Sequence, residues 1–256
     1  MKWLRCLQMK KYRQAEGVFV AEGPRLVGEL LAGGFECVYV AVSNEQLTMN
    51  NAPKMCDHVT EDELRRVSTL ETPQGVLAVF RQPRHRVDVA KAMSEGLCLA
   101  LDEVQNPGNL GSIVRIADWF GISDVFCSLG CADLYNPKTV QASMGALAHV
   151  RVHYIDLADA LREARNVTAE LNVYGTFLNG ENVYEKRLGN RGVIVMGNEG
   201  RGISSEVEKV VTDRLTIPSY GTFGHTDSLN VAMATAVVCA EFRRQASGAA
   251  RGGLPQ

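Results

Sequence analysis

Asn109, Arg115, Glu199, Ser228 and Asn230 are the polar residues whose types and neighbours could do chemistry. They stand in three glycine-bearing stretches: DEVQNPGNLGSIVR (102–115), GNEGRGIS (197–204) and IPSYGTFGHTDSLN (217–230). A guanidinium such as Arg115 offers a rigid fork of donors suited to phosphate or to a developing oxyanion. Asn109, Gly111 and Ser112 read as a helix start, where free backbone N–H groups can hold an anion. Gly197, Gly200 and Gly202 let backbone approach a ligand closely. Each feature also has a plain structural reading. Arg115 could pair with Asp118 at i+3, Ser112 and Ser228 could be helix caps, and Glu199 could serve a helix dipole.

These stretches all follow apolar runs that read as strands. LCLALDEV (97–104), SDVFCSL (123–129), VRVHYI (150–155), NVYGTFL (172–178), GVIVMGN (192–198) and RLTIPS (214–219) alternate with helical patterns at 112–121, 137–150, 157–166 and 228–244. Alternation of this kind predicts an α/β fold with a mainly parallel sheet covered on both faces. Ligands in such sheets bind beyond the carboxyl ends of the strands, so the three stretches should gather at one edge. A smaller α/β unit precedes this one. It has a helix at 24–34, a strand at 35–43, a helix at 60–70 opened by a Thr60–Glu63 capping box, and a strand at 74–82. The predicted organisation is 1–90 for the small unit, 91–96 as linker, 97–245 as the main domain and 246–256 as a flexible tail.

Composition narrows the class. The 256 residues are 46% hydrophobic and 22% charged with a net charge of -2, ordinary for a globular protein. No apolar run approaches a membrane span, and MKWLRCLQMKKYRQ has no apolar core of a secretory signal. The seven cysteines form no CxxC pair, which fits reduced thiols and a cytoplasmic location; no zinc pattern is present. Residues 1–15 hold Lys2, Arg5, Lys10, Lys11 and Arg13 without an acid, and RQPRHR (81–86) is a second basic cluster containing Arg84 and Arg86. Charge alone reads these as solvated surface. GxGxxG, GxxxxGK[ST], GxSxG and HExxH patterns are absent, which removes the common nucleotide, hydrolase and zinc-protease readings.

Taken together, NPGNLGSIVRIADWFGI (106–122), VIVMGNEGRGIS (193–204) and LTIPSYGTFGHTDSLNVAMATAVVCAEF (215–242) resemble the three motifs of the SpoU/TrmH family, RNA ribose 2′-O-methyltransferases of the SPOUT superfamily. The first 80 or so residues are similar to the small substrate-binding domain that often precedes the SpoU domain. The resemblance implies a sheet with a C-terminal trefoil knot, a homodimer, S-adenosylmethionine as methyl donor and no metal. It implies catalytic roles for Arg115, Asn109, Glu199, Ser228 and Asn230. It implies donor contacts from Thr176, Gly197, Ile217 and Leu229. With RNA as substrate, required because DNA lacks the 2′-hydroxyl, Lys10, Lys11, Arg13, Arg84 and Arg86 become expected RNA contacts. Ribosomal RNA is favoured over transfer RNA. Transfer RNA methylation and an inactive RNA-binding SPOUT protein are the alternatives; a nicotinamide oxidoreductase would need the missing glycine fingerprint. The stretch SYGTFGHTD (219–227) is about three residues longer than the family's usual loop, and His225 within it is read as a loop residue.

Overall fold

The structure, a computed structural model, describes residues 1–43, 56–221 and 228–251. They divide into two compact units. The first contains Met1–His85 together with Leu110–Arg115 and Asp133–His149, and the second contains the remainder.

In the first unit the basic N-terminus is a pair of short helices, α1 (Lys2–Cys6) and α2 (Lys10–Glu16). They are followed by β1 (Val18–Glu22), α3 (Pro24–Ala32), β2 (Cys37–Val42), β3 (Cys56–His58), α4 (Glu61–Arg65) and β4 (Val76–Arg81). The sheet order is β1-β4-β2-β3. β4 is antiparallel to β1 and β2, while β3 runs parallel to β2. Leu4, Leu7, Val18, Val20, Leu64, Val67, Leu77 and Val79 form its core. The capping box on α4 forms as expected, with Thr60 accepting from the Glu63 N–H and Glu63 accepting from the Thr60 N–H. Sequence reading misses α1, α2, β1 and β3, because these runs are too short to show a period.

The second unit adds α5 (Val89–Glu95), β5 (Leu97–Leu101), α6 (Pro107–Trp119), β6 (Asp124–Ser128), α7 (Pro137–Ser143), β7 (Arg151–Ile155), α8 (Leu157–Val167), β8 (Val173–Asn182), β9 (Gly192–Met196), α9 (Ser205–Glu208), β10 (Asp213–Thr216) and α10 (Val231–Arg251). Of these, α7 and part of α6 fall in the first unit. The six strands are all parallel in the order β10-β8-β9-β5-β6-β7. β5 and β9 are buried along their whole length, which is why they read as unbroken apolar runs. Phe126, Leu161, Val173, Val193, Val195 and Ile203 lie in one core cluster with Met93 of α5. The interval 91–96, expected as linker, is therefore mostly a packed helix, capped by the Asp88 side chain on the Lys91 N–H.

Four expected helices differ in extent; the one expected over 60–70 ends at Arg65. The helix expected over 112–121 starts five residues earlier, because Asn106 caps it and Pro107 occupies its first turn. The helix expected over 137–150 stops at Ser143, where Met144 and Gly145 both take positive φ. A single turn of 3-10 helix follows at Ala146–Ala148. The last helix runs on to Arg251, into the stretch expected as a tail; residues 252–256 lie outside the described residues.

A charge cluster built on buried Asp124 and His153, with Arg151 at its exposed edge, ties β6 to β7. Arg151 donates from Nε and Nη2 to both Asp124 carboxylate oxygens at 2.8 and 2.6 Å. His153 Nε2 lies 2.9 Å from Asp124 Oδ1 and stacks on Phe126. Burial pushes the Asp124 carboxyl up, but the hydrogen bonds and charges of Arg151 and His153 outweigh it and hold the group below its ordinary value. A carboxyl with a depressed folded pKa contributes stability above its unfolded pKa, about 4, and loses it as pH falls through the folded value. Asp124→Asn is expected to lower unfolding free energy at neutral pH by about 1–2 kcal/mol, since Arg151 is half exposed and screened, and to flatten the stability loss below about pH 4. Urea titrations at several pH values check both.

Candidate active site

The carboxyl ends of β5 and β9 are adjacent, with Leu101 opposite Met196. The chain leaving β5 turns at once: Glu103 has φ +55 and is held there by its N–H donating to Ser128 Oγ at 2.9 Å. The chain leaving β9 makes a tight hairpin. Asn198 and Gly202 exchange backbone hydrogen bonds at 2.9 Å, and Asn198 Oδ1 accepts from the N–H groups of Gly200 and Arg201 at 3.0 Å each. Asn198 Nδ2 donates to the Glu103 carbonyl at 2.8 Å. Asp102, 3% exposed, accepts from the Ser204 N–H at 2.7 Å, and Arg201 pairs with Glu103 at 2.5 Å. These contacts fix the hairpin on the loop after β5.

The glycines divide their work differently from expectation. A Cβ on Gly197 would fall 2.4 Å from the Gly202 carbonyl carbon and from the Ile203 nitrogen. The space at Gly197 is taken by the hairpin's own backbone. Gly202 has φ +72, which glycine alone adopts freely. Gly200 has open space on its Cβ side, with only the Asn198 amide oxygen within 4 Å.

Asn109, in the first turn of α6, joins three loops. Its Nδ2 donates to Glu199 Oε1 at 2.7 Å, and its Oδ1 accepts from Asn230 Nδ2 at 3.0 Å. Asn230 Oδ1 in turn accepts from the N–H groups of Ala232 and Met233 at 2.9 and 3.3 Å. The direction of this relay follows from its end. Backbone N–H groups can only donate, so Asn230 must point its oxygen at them and its NH2 at Asn109. Asn109 must then present oxygen to Asn230 and NH2 to Glu199. Glu199 survives in a glycine hairpin because it terminates this relay.

Several sequence expectations change here. The cap of α10 is Asn230; Ser228 is exposed and makes no cap. Asn106, which motif spacing does not single out, caps α6 by accepting from the N–H groups of Gly108 and Asn109 at 2.8 and 3.2 Å. The N–H groups of Gly111 and Ser112 belong to the helix body, so the expected anion site at 109–112 does not form. Gly111 instead lets α7 approach: a Cβ there would lie 2.4 Å from the Thr139 carbonyl oxygen. Asn106, Asn198 and Asp102 carry a visible signal, side-chain acceptors just beyond strand ends, which the three motifs do not use.

Around the relay, Thr176 Oγ1 donates to the Val195 carbonyl at 3.0 Å, so only its lone pairs are left for a ligand. Among the described residues Ile217 and Leu229 make no backbone hydrogen bond outside the strands and helices. Arg115 is exposed and makes no side-chain hydrogen bond or ion pair among the described residues. Lys10, Lys11, Arg84 and Arg86 are exposed. Arg13 is not. It is 1% exposed, and its guanidinium donates to the carbonyls of Leu7 and Gln8 and pairs with Asp133 at 2.6 Å. An arginine buried in this way, with both terminal nitrogens tied to Leu7, Gln8 and Asp133, is no surface contact for RNA, and that expectation is withdrawn. Residues 222–227 of the long loop, His225 included, lie outside the described residues.

Three polar side chains, one following each of β5, β9 and β10, thus form one relay. The SpoU rRNA Methylase family model matches residues 96–240, and an MRM3-like substrate binding domain matches residues 1–78. The chain belongs to the SpoU rRNA methylase family. It is 31% identical to the 23S rRNA (guanosine(2553)-2'-O)-methyltransferase RlmP of Bacillus subtilis, over 93% of both chains. A solved TrmH-family protein of Porphyromonas gingivalis superposes with a TM-score of 0.84 and 44% identity, over 95% of this chain and 96% of that one. The AdoMet-bound rRNA methyltransferase of Sinorhizobium meliloti gives 0.82 at 29% identity, over 95% and 93%. Among the described residues no cluster of three or more His, Cys, Asp or Glu could hold a metal ion, and no helix is long and apolar enough to cross a membrane.

Proposed function

We propose that this SpoU-family chain transfers a methyl group from S-adenosylmethionine to a ribose 2′-hydroxyl of ribosomal RNA. The observation that carries the proposal is the Glu199–Asn109–Asn230 relay, which brings the family's three motifs into one hydrogen-bonded unit. The Bacillus and Sinorhizobium relatives support ribosomal over transfer RNA.

The chain's residues divide the task as follows. The backbone groups of Ile217 and Leu229 suit the edge of an adenine, and the Thr176 lone pairs can accept from an amino group. Gly200 leaves room for the donor beside the relay. When bound, the donor would supply a methyl group on its sulfonium sulfur; the sulfur keeps the electron pair of the broken C–S bond as a neutral thioether, and the 2′-hydroxyl proton is lost to solvent. A guanidinium offers donors only, so the role of Arg115 is to clamp an RNA phosphate and to stabilise the alkoxide as it develops. Asn109 and Glu199 keep the two loops in one register, which holds reacting groups in line. Ser228 is free to contact RNA or donor.

Residues 1–90 act as the RNA-binding domain, 97–245 as the catalytic domain with its family knot, and two chains form the enzyme. Exposed Trp119 and Met233 fit burial against a second copy. Light scattering is expected to return the mass of a dimer. All seven cysteines are free, in keeping with the cytoplasm. Charge reversal of Lys10 and Lys11 is expected to weaken RNA binding and to lower its salt slope by about 0.7 to 0.9 for each phosphate no longer neutralised; titrations at several salt concentrations read this.

The test is transfer of labelled methyl from S-adenosylmethionine to ribosomal and transfer RNA fractions from cells lacking this gene. Label in the ribosomal fraction supports the proposal. Label confined to transfer RNA, or to a base, overturns it.

A further inference from the structure

Arg13 lies on the same helix as Lys10 and Lys11, yet it points inward. Two of its hydrogen bonds hold the turn between α1 and α2, at 2.9 Å to Leu7 O and 2.7 Å to Gln8 O. Its Nη2 reaches Asp133, 120 positions on, at 2.6 Å. Its Nε is buried without a partner. A surface lysine would serve phosphate binding as well, without the cost of burying an unsatisfied donor. The residue is therefore placed for what it joins.

Asp133 organises the start of α7. Its Oδ1 accepts from the Tyr135 N–H at 3.1 Å, and its carbonyl accepts from the Asn136 N–H at 3.0 Å and from Thr139 Oγ1 at 3.1 Å. Tyr135 packs its ring on Phe19 of β1, centroids 4.9 Å apart. Thr139, fully buried, is in turn the residue whose carbonyl sits against Gly111 of α6, and Ala142 and Ser143 close the same contact. Gly111 and Arg115 are four apart, so they share a side of the helix. Every residue in this chain of contacts belongs to the first compact unit.

We infer that Arg13 is a positioning residue: through Asp133 and α7 it sets the exposed lysines of α2 at a fixed register from Arg115, and so selects which nucleotide of a bound RNA is methylated. This rests on the methyltransferase reading above. The substrate class it implies is RNA gripped by phosphates at α2 and reacted a set distance away along the strand. Proteins pack too tightly to pass such a displacement off as slack, and a misplacement near 1 Å can cost on the order of 10²-fold in rate.

The test uses Arg13→Lys and Asp133→Asn in the full chain, with ribosomal RNA and S-adenosylmethionine. Rates are normalised to the fraction that binds donor, so partial misfolding does not count. The expected result is wild-type RNA affinity and salt slope, wild-type donor affinity, kcat down on the order of 10²-fold, and methyl groups appearing at neighbouring riboses. Arg13→Lys, which keeps the cation, recovers more selectivity than Asp133→Asn. Normal kcat per donor-binding site with an unchanged methylation position, whatever the loss in thermal stability, overturns the inference and leaves Arg13 a fold-stabilising residue. An inactive wild-type chain refutes the underlying methyltransferase reading instead.

Discussion

Arg115→Ala is expected to lower methyl transfer to RNA by about 10³-fold while leaving donor affinity unchanged. The size follows from what the side chain does. It is exposed and free of intramolecular partners among the described residues, so its removal leaves no buried group stranded and costs the fold little. A donor aimed at developing negative charge is worth about 10² to 10³ in kcat when deleted, and loss of a clamped phosphate adds a misalignment penalty. Arg115→Lys separates the two contributions. It keeps charge but not the bidentate fork, so it restores part of the rate only. Single-turnover kinetics with saturating RNA measure this directly. A near-normal Arg115→Lys would count against the clamp.

Asn109→Asp has the second large effect, and its signature is pH dependence. The substitution places a carboxylate 2.7 Å from Glu199 Oε1, where a donor now stands. Two carboxylates at that distance repel each other, which favours a shared proton and raises one pKa of the pair. The relay needs a proton between the two acids to keep its geometry. With the folded pKa raised, the intact relay is present at low pH and is lost as pH rises through that value. Relative to wild type at the same pH, Asn109→Asp is expected to lose about 10²-fold in kcat near pH 8 and to recover progressively as pH is lowered toward the carboxylate range. A ratio that stays flat across this range would remove Asn109 from the relay. Asn109→Ala, which cannot be rescued by protons, is the companion variant.

Much of the fold and site was legible in the residues, for identifiable reasons. The parallel sheet showed because β5 and β9 are buried on both faces and must be apolar throughout. The three strand-end loops showed because glycines and lone polar residues interrupt those runs. What stayed hidden depended on contacts far apart in sequence. Arg13 looked like a phosphate contact because its neighbours Lys10 and Lys11 do; only the distant Asp133 turns it inward. The start of α6 was misread because Asn106 and Ser112 are both plausible caps, and the choice is made by which one lies nearest β5. Gly111 suggested an anion site, but the atom it makes room for is a carbonyl of α7. Gly197 likewise serves the hairpin's own crossing. Sequence spacing revealed that these positions need glycine, and tertiary packing decided why.

The central claim is ribose methylation of ribosomal RNA, and one measurement meets it most directly. Ribosomal RNA from cells with and without this gene is digested to nucleosides and short oligonucleotides and read by mass spectrometry. The account predicts one 2′-O-methyl nucleotide present with the gene, absent without it, and restored by the wild-type gene but not by Arg115→Ala. Identical methylation patterns in the two RNAs, or a difference that falls on a base, would contradict it.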